Sequence, residues 1–241
     1  MFKSKYSLVL MMVLLTIYSI LWAFLNRDES LLVLYGGVPF DGEWYVYLLN
    51  YFMFSGYVFF VFKKNDNYVN GYGIYVVLRF QSKMKIIIRI IINTMYYVFI
   101  FELFKLCIYT IVLLVINKQV FIENYFTFIN MISINLFLLF LFLFVQIILE
   151  LFWDSKIALV LMQSSYLLLL SLGSVVRMVI GDSYLNLLIL PNVLMYERLK
   201  SFYTFDWINM VFIYLFLIVI FITLILIVKV LINKKDWLER V

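Results

Sequence analysis

The chain alternates long apolar runs with short polar breaks, and the runs exceed what a soluble core can hold. They predict six spans, at about Leu8 to Leu25, Trp44 to Phe62, Thr94 to Ile116, Met131 to Leu151, Ile157 to Val176 and Trp207 to Leu231. These are close to the length needed to cross a hydrocarbon core of roughly 30 Å as a helix. Apolar positions within the runs do not alternate with a period of two, as barrel strands require, and backbone in lipid must close its own hydrogen bonds. The pattern therefore predicts an all-α polytopic membrane protein with one transmembrane domain over residues 1–241. The first run continues into Asn26-Arg27-Asp28-Glu29 without a small-residue cleavage site, which reads as a retained helix and not a removed signal peptide.

Composition agrees with this pattern. Hydrophobic residues make up 66% of the chain and charged residues 14%, against about 45–50% and 25% in a soluble domain. Charge adds an orientation. Thirteen Lys and Arg flank the spans on the side of Lys3, Lys63, Lys64, Lys156 and Lys235, and five flank the other side, with Lys105 inside a span. The positive-inside rule then places both termini in the cytoplasm. The formal net charge of +5 is accounted for by topology and lipid headgroups, with no nucleic acid needed.

Chemistry is constrained mainly by what is missing. The sequence holds no histidine and one cysteine, Cys107. This removes His-based metal sites, His general bases and any intrachain disulfide, and leaves Cys107 a small packing role within the third span. No catalytic constellation and no Walker-type glycine loop is present, so no cofactor is expected on this chain and any ATP and Mg would belong to a separate polypeptide.

Three polar features break the pattern of plain spans. Between spans two and three, Asn70 to Gly73 form a turn signal, and Tyr72, Val76 and Phe80 then recur at helical spacing among Arg79 and Lys83, with Ser82 as an N-cap for the next helix. This short cytoplasmic helix suits either the headgroup layer or a docking partner. The adjoining run, Ile86 to Ile116, is 31 residues long, or about 46 Å as a helix, so its first turns are expected in the interface, with Arg89 snorkelling. Inside that span Glu102 and Lys105 stand three residues apart, as a self-neutralising pair, a packing contact or a polar wall of a substrate path.

Other polar residues of the spans read more simply. Glu150, close to Lys156, reads as an interfacial charge, and Asn135 and Gln146 as inter-helix hydrogen-bonding groups. Ser164, Ser165, Ser171, Gly173 and Ser174 read as small residues for close packing. The third feature is the segment from Arg177 to Asp206. Asp182-Ser183 is a capping signal, Tyr184 to Leu190 is too short to span, Pro191 is a break, and Asn192 to Tyr203 forms a second short helix with Met195, Leu199 and Phe202 on one face. Together they predict an outer hairpin, re-entrant or interfacial, carrying Glu197 and Arg198.

Six spans, a basic helix between spans two and three and paired short helices between spans five and six resemble the permease subunit of a type 2 ABC exporter. Gly71-Tyr72-Gly73-Ile74-Tyr75, Arg79 and Ser82-Lys83 are similar to the stretch before the third span in small permeases of low-GC Gram-positive bacteria that serve antimicrobial-peptide export or immunity. The resemblance covers most of the chain in layout and about 15 residues in motif. It implies a cytoplasmic ATPase subunit docked near Tyr72, Tyr75, Val76, Arg79, Phe80 and Lys83, a second permease copy in a homo- or heterodimer, and outward movement of a peptide or lipid-like substrate. Only Met1 to Lys5 precede the first span, which departs from the amphipathic elbow helix that many such permeases carry. Readings of a different kind are a membrane-bound immunity or sensor protein that binds a toxin peptide without transport, and a secondary transporter using Glu102 and Lys105. For the last, neither an inverted repeat nor glycine-broken spans are found.

Overall fold

A computed structural model describes residues 2–25, 30–62, 83–117, 120–122 and 124–234. The long helices are α1 (Phe2–Leu25), α2 (Trp44–Val61), α3 (Lys83–Asn117), α4 (Tyr125–Phe152) and α5 (Ser155–Ile180). Two short helices come next, α6 (Leu190–Leu194) and α7 (Tyr196–Phe202), and α8 (Trp207–Lys234) ends the described chain. Among the described residues, six helices are long and apolar enough to cross a membrane, within Ser7–Leu25, Trp44–Val61, Ile88–Ile116, Tyr125–Glu150, Ser155–Ile180 and Trp207–Val230. The protein is an all-helical polytopic membrane protein. All six spans read from the sequence are present, with ends shifted by up to about six residues.

Local chemistry explains the boundaries. Asn124 accepts a hydrogen bond from the Thr127 backbone (3.2 Å) to open α4, and Asp154 accepts from the Lys156 backbone (3.3 Å) to open α5. Gly181, with φ of 75°, closes α5, a conformation in which a side chain would be strained. Within the helices, Thr16, Thr94, Thr110 and Asn130 bond the carbonyls four residues back, so polar side chains are satisfied without leaving the apolar phase. α3 is one continuous helix of 35 residues, about 52 Å long, more than one hydrocarbon core requires.

α4 is the hub. Two thirds of its span is covered by the rest of the bundle, against 17% for α8, whose outward residues Phe212, Leu215, Val219, Ile222 and Leu226 form an apolar face for lipid. Cys107 also faces outward, not into the packing expected for it. On α5 the small residues divide. Gly173 is buried, whereas Ser164 and Ser171 are exposed and bond carbonyls of their own helix, so only part of the serine-rich pattern serves packing.

The connections α1–α2, α3–α4 and α5–α8 converge at one end of the bundle and form a cap. The Leu31 backbone donates to the Phe121 carbonyl (3.2 Å), and the Glu197 backbone donates to the Gly36 carbonyl (3.0 Å). A 3-10 turn, Leu31–Tyr35, is capped by Ser30 and sinks into the bundle with Leu31, Leu32, Leu34 and Tyr35 buried. Periodicity did not reveal it, because five residues are too few to show a helical repeat. Gly37 lies just beyond it with φ of 68°, and a Cβ there would lie 2.3 Å from Met195 Cγ. Gly37→Ala is therefore expected to lose about 2–4 kcal/mol through backbone strain and overpacking, read as a lower unfolding midpoint in detergent.

The α5–α8 connection differs in detail from the expected hairpin. Ser183 caps a 3-10 turn at Tyr184–Leu188, while Asp182 instead bonds Arg177 (2.8 Å). Pro191 lies in the first turn of α6, where a missing N–H costs nothing, so it starts a helix and does not break one. The second short helix begins after Met195, which is extended, and not at Asn192. Of the residues expected on one face of it, Leu199 and Phe202 are buried within the helix and Met195 is buried at its N-cap.

Candidate functional site

α2 has the lowest mean hydropathy of the six spans, 1.2, because polar side chains interrupt its buried face. Tyr47, Asn50, Phe54, Tyr57 and Val58 recur at helical spacing and cover about 16 Å along the axis. Each meets a partner from another element, and together they form a column from the cap toward the opposite end.

At the cap lies Arg198, with no exposed surface. Its Nε donates to the Val38 carbonyl (2.7 Å), its Nη1 to the Leu170 carbonyl (3.0 Å) and Asn192 Oδ1 (2.9 Å), and its Nη2 to the Tyr47 hydroxyl (3.1 Å) and Ser174 Oγ (3.4 Å). All these acceptors are uncharged, so carbonyl, amide and hydroxyl dipoles carry the charge. Burial pulls the guanidinium below its ordinary pKa, and Tyr47 and Tyr166 oppose that shift. The Phe40 ring lies between Arg198 (4.9 Å) and Arg177 (4.6 Å). Gly173 makes the approach possible, since a Cβ there would fall 2.4 Å from Asn192 Oδ1 and 2.7 Å from Arg198 Nη1. One side chain thus ties α7 to α5, α2 and the α1–α2 connection.

Below it, the Tyr166 hydroxyl donates to Asn50 Oδ1 (2.6 Å). An aromatic layer then interrupts the column: Phe54 stacks on Tyr166 at 3.7 Å and meets Phe142 edge-on at 5.5 Å. Beyond this seal the Tyr57 hydroxyl donates to Glu102 Oε1 (2.5 Å), and Lys105 Nζ lies 2.6 Å from Glu102 Oε2. The pair is buried, and Lys105 Nζ sits 4.9 Å from the Tyr35 ring of the sunken 3-10 turn. Farther along, Gln146 donates to the Val58 carbonyl (2.9 Å) and to Glu150 Oε1 (3.1 Å). Glu150, expected as an interfacial charge close to Lys156, is 4% exposed and is bonded by Gln146, one turn earlier on the same face.

The sequence-derived residues thus separate into groups. Glu102 and Lys105 form the expected pair at the level of the bundle centre. Arg198 joins the column, whereas Glu197 lies at the surface and bonds Lys200 (2.6 Å), and Asp182 serves Arg177. Tyr72, Tyr75, Val76, Arg79 and Phe80 lie outside the described residues, and Lys83 is the first described residue of α3. Missed by sequence reasoning were Tyr47, Asn50 and Tyr57, for which the low hydropathy of α2 was the available signal, and Tyr166 on α5, which had none. Among the described residues no group of three His, Cys, Asp or Glu is placed to hold a metal ion. The arrangement offers charge pairing and hydrogen bonding across a helical bundle.

No curated protein and no solved structure matches the chain. A family described as a protein of unknown function (DUF2705) matches residues 7–238, nearly the full length, and the chain belongs to that family.

Proposed function

We propose that this protein is the membrane subunit of an ABC exporter in a bacterial plasma membrane, moving a peptide or lipid-like amphiphile outward. The observation that best supports the reading is the cap. Short helices between the last two spans fold back onto the bundle and connect, through Arg198, Tyr47 and α2, to a polar column within the spans. Such a cap gives one end of the bundle a rigid part that must rearrange with the helices, as an exporter driven from the other end requires. The basic side of the chain faces the cytoplasm, and ATP and Mg belong to a partner ATPase docked at Tyr72 to Lys83. Binding of ATP closes the ATPases, and the spans of two permease copies shift in response.

Purification in mild detergent tests this. An ATPase is expected to co-isolate with the wild-type chain and to be lost when Tyr72, Tyr75 and Phe80 are changed to Ala. A chain that isolates without any nucleotide-dependent partner sinks the exporter reading and favours the alternative, an immunity or sensor protein that holds a toxin peptide without transport.

A further inference from the structure

Apart from the column, a cavity of about 220 Å³ opens at the capped end. Its walls include Trp22 and Leu25 of α1, Tyr45 and Val46 of α2, Gly36 of the sunken turn and Glu197 of α7. We propose that this cavity binds the primary ammonium of a phospholipid headgroup of the ethanolamine type, with Glu197 as its carboxylate partner.

The lining selects the chemistry. Among the described lining residues Glu197 carries the charge, and Trp22 and Tyr45 add aromatic surface that favours a cation. Aromatic residues at the ends of spans commonly mark the headgroup layer. A carboxylate within the same cavity turns that general affinity into a directed one. Glu197 is also held in place: its backbone donates to the Gly36 carbonyl (3.0 Å), and its Cγ lies 3.5 Å from where a Cβ on Gly36 would be. The next residue is the fully buried Arg198, so α7 cannot swing freely.

Glu197 already pairs with a primary ammonium, from a residue that does not line the cavity. Lys200 Nζ lies 2.6 Å from Glu197 Oε2, and Lys200 is 47% exposed. An exposed pair of this kind is worth only about 0–1 kcal/mol, so a competing ammonium can displace it. Position identifies the lipid as the source. Leu25, which lines the cavity, and Trp44, next in sequence to the lining residue Tyr45, are large exposed apolar side chains at the ends of their spans, so a headgroup in the cavity leaves its acyl chains against α1 and α2. A soluble amine gains nothing from that neighbourhood.

Native mass spectrometry of the delipidated full chain, offered phosphatidylethanolamine, phosphatidylcholine or phosphatidylglycerol, tests the assignment. Ethanolamine and choline lipids share a phosphate and a positive charge, and only the first has N–H donors. One phosphatidylethanolamine is expected to be retained about tenfold over phosphatidylcholine, a difference equivalent to one charged hydrogen bond. Glu197→Gln should erase the preference while leaving the melting temperature unchanged, because the bond to Gly36 comes from the backbone. Lys200→Met should raise retention severalfold by removing the resident competitor. Equal retention of the two zwitterionic lipids, preference for phosphatidylglycerol, a preference that survives Glu197→Gln, or no gain in Lys200→Met each overturns the proposal. So does Glu197-dependent binding of a lysine-bearing amphipathic peptide in phosphatidylcholine nanodiscs when phosphatidylethanolamine shows none.

Discussion

Replacing Lys105 with Met, which keeps side-chain length and removes the charge, is expected to destabilise the chain by about 3–5 kcal/mol, whereas Lys105→Met with Glu102→Gln should recover most of that loss. The reason is an asymmetry between breaking a buried pair and removing it. Glu102 has Lys105 at 2.6 Å and the Tyr57 hydroxyl at 2.5 Å, within a bundle that leaves both ionisable side chains almost unexposed. Without Lys105, a carboxylate remains in a low-dielectric interior with one neutral donor. In the double variant, the Gln carbonyl still accepts from Tyr57 and no charge is left behind. Tryptophan fluorescence during thermal unfolding in detergent, applied as a double-mutant cycle, measures the coupling directly. A double variant no more stable than Lys105→Met would locate the loss in packing on Tyr35 instead.

Arg198→Met should cost about 4 kcal/mol, since it removes a charged donor from five acceptors, the buried Val38 carbonyl and Asn192 Oδ1 among them at about 1–3 kcal/mol each, and only partly regains the desolvation of one charge. Those acceptors belong to Val38, Leu170, Asn192, Tyr47 and Ser174, so the loss would loosen the cap from three elements at once. Arg198→Lys should retain part of the stability. An ammonium has three donors and no planar fork, and it cannot reach five separated acceptors together. The same unfolding measurement ranks the three proteins, wild type above Lys above Met. Equal stability of the Met variant would make the buried charge a net cost that packing can replace. If the cap is a moving part of an exporter, the Met variant should also admit a water-soluble thiol reagent to a cysteine placed at Asn50, which is buried in the native bundle.

How far the sequence alone reached depends on the range of the interaction. Fold class and the six spans were legible because lipid demands long apolar helices whatever their neighbours are. Glu102 and Lys105 were legible as a pair because three residues along a helix bring side chains together without help from tertiary contacts. Ser183 as a cap and the shared face of Leu199 and Phe202 were readable for the same local reason. The role of Pro191 was misread, since a proline ends one helix and begins another with equal ease and only the path of the chain decides which.

Partners far apart in the chain were a different matter. Nothing local distinguishes Arg198, fully buried, from Arg177, partly exposed 21 positions earlier, and a topology rule counts them alike. Gln146 and Glu150 are one turn apart on α4 and bond each other locally, whereas the Val58 carbonyl reaches Gln146 only because α2 packs against α4. The 3-10 turn at Leu31–Tyr35 could not announce itself, and neither could its contact with Lys105. By itself, the sequence determined the solvent of this protein, the number of its crossings and its local charge pair, because hydropathy and helical spacing are properties of neighbouring residues. Tertiary structure alone decided that Tyr47, Asn50, Tyr57, Arg198 and Gln146 form one polar column, because buried polar groups take partners wherever close packing brings a donor to an acceptor.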